Sequence, residues 1–307
     1  MQSRVSIGIL EIESMSSFGG SWSEQKLKCV EAYTASYLKV MQWQSWATLH
    51  YVDAFAGRGK QQLPIHVANS EDESLLATAS FLEGSALRAL KVSSNASRGF
   101  DRFLFIEASR SASQQLISNI NTHYPSMLER VTVLRSDANE AISAYIDQTD
   151  WSKTRGLIFL DPFGLEVRWE TIVKLASTKA CDVWYLFPLV GVIRMMTNTG
   201  EIDESWKAKL NLLFGTDSWY DEFYPREQLT IFGESDKIKE ASTHQIIQYV
   251  RTRLVTVFSA VSNTAVLKNS RGFPLFALVM GVSNPNAKRQ ALRICNHLID
   301  QLSSSQS

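Results

Sequence analysis

The segment TLHYVDAFAGRGK, residues 48–60, joins a compact apolar run to two closely spaced glycines. The run is rich in β-branched and aromatic residues, which predicts a strand, and the glycines predict a tight turn at its end. Because Gly57 and Gly59 carry no Cβ atom, the backbone of this turn can approach a ligand closely. The pattern is equally typical of a strand-to-helix turn without a ligand, and it lacks the spacing of dinucleotide- and phosphate-binding loops.

Strands alternate with helices after this segment, which predicts an α/β protein with one mostly parallel sheet and helices on both faces. The predicted strands beyond residues 48–55 are 103–107, 131–134, 157–161 and 183–187, and the helices that follow them are 112–120, 138–146, 169–176 and 190–196. The runs 264–268 and 275–282 predict a final antiparallel hairpin. Further helices are predicted over residues 84–90, 242–258 and 285–302.

A first amphipathic helix is predicted over residues 24–43, with Leu27 and Val30 among its apolar positions and Lys26 among its polar ones. An inserted loop over about residues 61–80 and a polar, aromatic insertion over about residues 197–239 interrupt the alternation of strands and helices. No repeat or linker divides the chain, so we predict a single domain over residues 1–307.

Composition narrows the class of protein. Lys plus Arg and Asp plus Glu both number 31, so any nucleic-acid site must be a local basic patch rather than a property of the whole chain. The three cysteines are far apart and show no CxxC spacing, so neither a disulfide framework nor a metal site is expected. No apolar run approaches the length of a membrane span, and we expect a cytoplasmic protein with no membrane partner.

Acidic residues follow the first three predicted strands. Asp53 ends the first, Glu107 ends the second, and Asp137 follows the third. In a doubly wound sheet such strand ends meet at one edge, where Glu107 could accept the ribose hydroxyls and Asp137 the amino group of an adenosine-containing cofactor. An N-cap role is the alternative for both acids, and for Asp137 alone it is the favoured one.

The fourth strand ends in Asp161-Pro162-Phe163-Gly164. The Asp161 carboxylate and the Pro162 carbonyl form a cluster of acceptors that matches the donors of an exocyclic amine. The Phe163 ring could stack on a planar base, as in enzymes that extrude their target base. A rigid Asp-Pro turn is the alternative, but it leaves the aromatic residue and the glycine without a purpose.

The order of these motifs resembles that of class I S-adenosylmethionine-dependent methyltransferases that act on nucleic-acid amines, and within them most closely the bacterial three-Cys-motif partner protein family. The resemblance spans most of the chain, from about residue 26 to residue 293. The matching stretches are Lys26-Leu27, Tyr37-Leu38, residues 51–59, Gly84-Ser85, Ala89-Leu90, residues 105–107, residues 160–164 and residues 275–278.

The resemblance implies a Rossmann-like class I methyltransferase sheet and the cofactor S-adenosylmethionine. The residues it implies for cofactor binding are Asp53, Phe55, Ala56, Gly57, Gly59, Glu107 and Asp137. Asp161, Pro162 and Phe163 are the implied catalytic residues, and no metal is implied. The family is named for cysteines of a partner protein, so Cys29, Cys181 and Cys295 are better interpreted as core residues.

Two functions are consistent with these motifs. One is methyl transfer to an exocyclic amine of a nucleobase in DNA or RNA; the motif departs from the usual Asp-Pro-Pro-aromatic form and is similar to that of tRNA guanine-N2 methylating enzymes. The other is a methyltransferase-like module that binds a three-Cys-motif partner in a defence or mobile-element system, with weak or no catalysis. Candidate phosphate contacts are Arg58, Lys60, Arg251, Arg253, Lys268, Arg271, Lys288, Arg289 and Arg293, although such charges are usually solvated.

Overall fold

The computed structural model describes residues 21–62, 81–198, 200–225 and 241–304. The strands within these ranges are β1 (Thr48–Asp53), β2 (Lys60–Gln62), β3 (Phe81–Glu83), β4 (Arg102–Ile106), β5 (Val131–Leu134), β6 (Thr154–Leu160), β7 (Cys181–Phe187), β8 (Ala260–Lys268) and β9 (Pro274–Val282). The helices are α1 (Ser21–Met41), α2 (Ser85–Asn95), α3 (Arg110–His123), α4 (Ala138–Gln148), α5 (Trp169–Ser177), α6 (Leu189–Met195), α7 (Glu204–Phe214), α8 (Trp219–Phe223), α9 (Thr243–Val255) and α10 (Lys288–Ser304).

Seven of these strands form one sheet in the order β5-β4-β1-β6-β7-β9-β8. The first five are parallel to one another, and β9 is antiparallel to both of its neighbours, β7 and β8. The predicted mostly parallel sheet with a final antiparallel hairpin is therefore confirmed. Strand β1 lies in the middle, and the chain reverses its direction of winding there, because β4 lies on one side of β1 and β6 on the other.

Helices pack on both faces of the sheet, as the alternation of strands and helices predicts. Side chains of α1, α2, α3 and α10 share one buried apolar cluster, and side chains of α4, α5, α6, α7 and α9 share the other. Successive strand residues alternate between the two clusters, with Tyr51 in the first and Val52 in the second. Both faces of the sheet are therefore buried, which explains why its strands are almost continuously apolar.

Helix α1 is attached to the sheet by a buried polar contact as well as by apolar packing. The Tyr33 hydroxyl donates a 2.8 Å hydrogen bond to Oδ2 of Asp182 on β7. The prediction that Lys26 lies on the polar side of this helix is wrong, because Lys26 is 6% exposed. Lys26, Val30, Tyr33 and Tyr37 follow one another at helical spacing, so that Lys26 belongs to the face that packs on the sheet.

The two predicted insertions are only partly within the described residues. Strands β2 and β3 pair as a two-stranded antiparallel sheet at the base of the first insertion, whose residues 63–80 lie outside the described ranges. The second insertion contains α7 and α8, which sequence analysis did not predict, and its residues 226–240 also lie outside those ranges. Trp219, Phe223 and Tyr224 of this insertion are buried and belong to the core.

All three cysteines are buried and free, as predicted for core residues. Burial raises the pKa of the Cys29 thiol to about 12 and that of Cys181 also to about 12, so neither is a thiolate at neutral pH. None of the described helices combines the length and the apolar character that crossing a membrane requires.

The glycine turn after β1 provides a test of this fold. Gly57 and Gly59 have φ values of 61° and 80°, but a Cβ atom on Gly57 would meet open space, whereas one on Gly59 would lie 2.9 Å from Cδ1 of Leu116. We expect Gly57→Ala to lower the free energy of unfolding by about 1 kcal/mol from backbone strain alone. Gly59→Ala should lower it by roughly 2–3 kcal/mol because overpacking is added. Urea unfolding of both variants measures the difference, and equal losses would contradict the packing of Gly59 on α3.

Candidate functional site

The glycine turn and the Asp-Pro-Phe-Gly motif lie side by side at the carboxyl edge of the sheet. Strands β1 and β6 are parallel neighbours with Asp53 opposite Phe159, so the segments that follow them leave the sheet together. This is the point at which the winding of the sheet reverses, where ligands of open α/β sheets bind. A cavity of about 70 Å³ lies there, and its lining residues are Trp22, Ser23, Lys26, Leu27, Phe55, Ala56, Gly57, Arg58, Gly59, Gly84, Ser85, Asp161, Pro162, Phe163 and Phe276.

Glu107 holds the glycine turn in place. Its Oε2 accepts a 3.0 Å hydrogen bond from the backbone N–H of Gly57, and its Oε1 accepts a 2.7 Å hydrogen bond from that of Ser109. Ser109, not Glu107, caps helix α3 by accepting from the backbone N–H of Ala112. The carboxylate therefore links the ends of β4 and β1, and a role as N-cap does not apply to it.

Asp53 lies beneath the glycine turn and is completely buried. Its Oδ1 accepts a 3.2 Å hydrogen bond from the backbone N–H of Phe55, but its Oδ2 has no hydrogen-bond partner within the described ranges. Burial raises the pKa of Asp53 to about 7, because a carboxylate is poorly solvated there. The Asp53 side chain does not line the cavity. It supports the turn through its hydrogen bond with the backbone of Phe55.

Asp161 forms an ion pair that sequence analysis did not predict. Its Oδ2 lies 2.5 Å from Nζ of Lys26, and the two side chains are 19% and 7% exposed. The Lys26 ammonium also lies 5.4 Å from the centre of the Trp22 ring, which stacks on Phe276 at 5.1 Å. The first turns of α1 therefore form one wall of the cavity. The helical spacing of Lys26 with the apolar residues of α1 is the sequence signal that could have revealed this contribution.

Pro162 and Phe163 complete the motif. The Pro162 carbonyl accepts no hydrogen bond from the described residues. The Phe163 side chain is 63% exposed, and its backbone N–H donates to Oε2 of Glu166 at 3.1 Å, which fixes the turn. An exposed aromatic ring beside two oxygen acceptors is an arrangement that can receive a planar base carrying an amine.

Asp137 caps helix α4. Its Oδ1 accepts hydrogen bonds from the backbone N–H groups of Asn139 and Glu140, at 2.9 and 3.1 Å. The N-cap role is therefore the one that Asp137 has in the structure. Its second carboxylate oxygen, Oδ2, can still accept hydrogen bonds. A role toward an adenine amino group stays a prediction.

The predicted site residues divide into two groups. Those that line the cavity are Phe55, Ala56, Gly57, Gly59, Asp161, Pro162 and Phe163, and those that do not are Asp53, Glu107 and Asp137. Residues that sequence analysis missed come from α1, from the start of α2 and from β9. Among the described residues, no three His, Cys, Asp or Glu side chains are grouped so that they could hold a metal ion.

The strand order and the antiparallel β9 define a Rossmann-like sheet of the class I methyltransferase type. No protein family model and no curated protein matches the chain. A solved Legionella pneumophila protein assigned to the family-model DUF519 is 14% identical, with a TM-score of 0.48 and 91% of each chain covered.

Two further solved structures are similar over most of the chain. A Listeria monocytogenes protein, provisionally described as an S-adenosylmethionine-dependent methyltransferase, is 12% identical with a TM-score of 0.33, covering 83% of this chain and 97% of its own. A Clostridium thermocellum protein, provisionally described as an rRNA methylase, is 9% identical with a TM-score of 0.32, covering 81% and 94%. The fold itself is defined by the order and direction of the strands.

The ion pair between Lys26 and Asp161 predicts an unequal effect of two lysine substitutions. Lys26→Met leaves a largely buried carboxylate without its partner, and we expect the free energy of unfolding to fall by roughly 3 kcal/mol. Lys28→Met removes an exposed pair with Glu24 one turn away and should cost less than about 0.5 kcal/mol. The double variant Lys26→Met/Asp161→Asn should lose less than the sum of its single variants. Urea unfolding measures all four, and equal losses for the two lysine variants would contradict the buried pair.

The burial of Asp53 predicts a pH-dependent stability. Between pH 5 and 7 the folded protein keeps a proton on Asp53 that the unfolded chain has lost, so this group destabilises the fold as the pH rises. We expect the stability of Asp53→Asn relative to the wild type to increase by roughly 2–3 kcal/mol between pH 5 and pH 8. Asp182, whose pKa burial raises to about 6, titrates in both proteins and cancels from the comparison. Parallel stability curves would show that Asp53 is ionised throughout this range.

Proposed function

We propose that this protein is an S-adenosylmethionine-dependent methyltransferase that transfers a methyl group to an exocyclic amine of a nucleobase. The observation that carries the proposal is the position of Asp161, Pro162 and Phe163. They lie at the carboxyl end of β6, in one cavity with the glycine turn that follows β1. The methyltransferase-type sheet and the resemblance of the motifs support the same reaction.

The backbone and the acidic side chains at this edge are of the kinds that would hold S-adenosylmethionine. Above Gly57 there is open space where a Cβ atom would point, so a ligand can approach the backbone of the turn. Glu107 and Asp137 at the ends of β4 and β5 are the acids that would hold the ribose and the adenine. A cavity of about 70 Å³ is smaller than the roughly 300 Å³ of small-molecule pockets. The cavity alone is too small for the whole cofactor, which would also occupy the sheet edge beside Glu107 and Asp137.

The chemistry assigned to the chain is positioning and charge stabilisation. The cofactor supplies an electrophilic methyl group on a sulfonium sulfur. Asp161 and the Pro162 carbonyl accept hydrogen bonds from the target amine, and Phe163 stacks on its base, so that the nitrogen lone pair faces the methyl carbon. Methyl transfer would form a nitrogen–carbon bond as the sulfur–carbon bond breaks, and the proton that the amine then loses would pass to solvent. No covalent intermediate with the protein is required.

One observation favours the second function, a partner-binding module with weak or no catalysis. Lys26 occupies an oxygen of Asp161, and the first turns of α1 close a cavity that is too small for the cofactor alone. Catalysis therefore requires that Lys26 leave at least one Asp161 oxygen to the amine. A protein that only binds a partner has no such requirement.

Methyl transfer from radiolabelled S-adenosylmethionine to unmodified transcribed RNA and amplified DNA tests the proposal. We expect the wild type to label one of them and Asp161→Ala to lower the rate by about 100-fold, because an acceptor for the amine is lost. The affinity for S-adenosylhomocysteine should change little in this variant.

Asp161→Asn and Asp203→Asn are the controls for this experiment. The first keeps the shape of the side chain and one acceptor oxygen, and it should retain more activity than Asp161→Ala. The second removes an exposed acid that caps α7 and does not line the cavity, and it should leave the rate unchanged. Full activity of Asp161→Ala would remove Asp161 from the reaction, and a wild type that binds the cofactor product but labels neither nucleic acid would favour the second function.

A further inference from the structure

Four arginine side chains lie at the carboxyl edge of the sheet. Arg58 follows β1, Arg110 follows β4, and Arg135 follows β5. Arg271 lies in the turn between β8 and β9, which is at the same edge because β9 begins beyond the point where Ala277 pairs with Phe187, the last residue of β7. All four are exposed, and their guanidinium groups form no ion pair or hydrogen bond with any described residue.

Four acids at this edge are held by other groups and form no ion pair with these arginines. Glu107 and Asp137 each accept two backbone N–H groups, and Glu166 accepts one. Asp161 is paired with Lys26. The four guanidinium groups are therefore exposed at the carboxyl edge without a partner among the described residues, and Arg58 lines the cavity.

Exposed aromatic rings are interspersed with these arginines. Phe163 is 63% exposed at the end of β6, and Phe273 is 45% exposed beside Arg271 in the β8–β9 turn. Phe276, at the base of that turn, lines the same cavity as Phe163. Arginine binds phosphate with two hydrogen bonds, and exposed rings stack on unpaired bases. An acidic protein would use the arginines but would give the rings no matching partner.

We infer that this edge binds single-stranded nucleic acid, an inference that names the substrate of the proposed methyltransferase and rests on that function. From β5 to β9 the edge crosses five strand spacings of about 4.8 Å, roughly 24 Å in all, which is long enough for several nucleotides. Arg135 and Arg271 lie near the two ends of this path, and the cavity between β1 and β6 lies near its middle. The target base enters the cavity beside Phe163 while the flanking phosphates contact the arginines.

Fluorescence anisotropy with labelled single-stranded RNA and DNA of 12 nucleotides, without cofactor, tests this surface. Arg135→Ala/Arg271→Ala should weaken binding at least tenfold at low salt. About 0.7 counterions are released per phosphate contact on a single strand. The negative slope of log K against log salt should therefore become less steep by about 1.4 in this variant. Phe273→Ala should weaken binding with little effect on this slope.

Arg102→Ala/Arg130→Ala is the matched control, because both are exposed arginines at the amino ends of β4 and β5, at the opposite edge of the sheet. It should bind like the wild type. Equal losses in the two double variants, stronger binding to a duplex of the same sequence, or displacement of the strand by polyglutamate as readily as by unlabelled strand would overturn the inference.

Titration of the same proteins with S-adenosylhomocysteine separates this inference from the proposed function. Normal affinity of Arg135→Ala/Arg271→Ala for the cofactor product, with weakened strand binding, supports both. If the wild type binds the strand in the expected pattern but not the cofactor product, the surface stands and the methyltransferase function fails. If it binds the cofactor product but not the strand, the surface is wrong and the function stands.

Discussion

The parallel pairing of β1 with β6 is the constraint on which the site depends. Because the chain winds first to one side of β1 and then returns to the other, two segments more than 100 residues apart leave the sheet as neighbours. One carries the glycine turn and the other carries Asp161, Pro162 and Phe163. Neither segment forms a cavity alone, and their distance is set by hydrogen bonds between two strands that are buried on both faces.

The acidic side chains at this edge are held by specific partners. Glu107, Asp137 and Glu166 accept backbone N–H groups, and Asp161 pairs with Lys26. Among the described acids of this edge, Asp53 is the one that keeps a buried oxygen without a partner. A buried charge is tolerated when it is paired, and removing one partner is costly. The pair between Lys26 and Asp161 therefore couples the position of α1 to the motif after β6, while Tyr33 and Asp182 attach the same helix to β7.

Local patterns predicted the sheet well because strand and helix periods are visible in sequence. Residues 131–134 and the start of α4 agree with the structure, and the antiparallel hairpin is present. The proximity of the motifs after β1 and β6 was also predictable, because the carboxyl ends of parallel strands meet at one edge. The contribution of α1 was missed because it depends on packing across 135 residues, and Lys26 was judged by its charge rather than by its spacing. Helices α7 and α8 were missed because their aromatic residues pack into a core formed by distant segments.

Calorimetric titration with S-adenosylhomocysteine, performed on the wild type, Glu107→Ala and the control Glu129→Ala, tests the central claim that this edge binds the cofactor. Glu129 lies in the exposed connection between α3 and β5 and has no contact with the cavity. We expect micromolar binding, about −8 kcal/mol, by the wild type and the control, and at least tenfold weaker binding by Glu107→Ala. No binding by the wild type, or equal affinities in all three proteins, would contradict it.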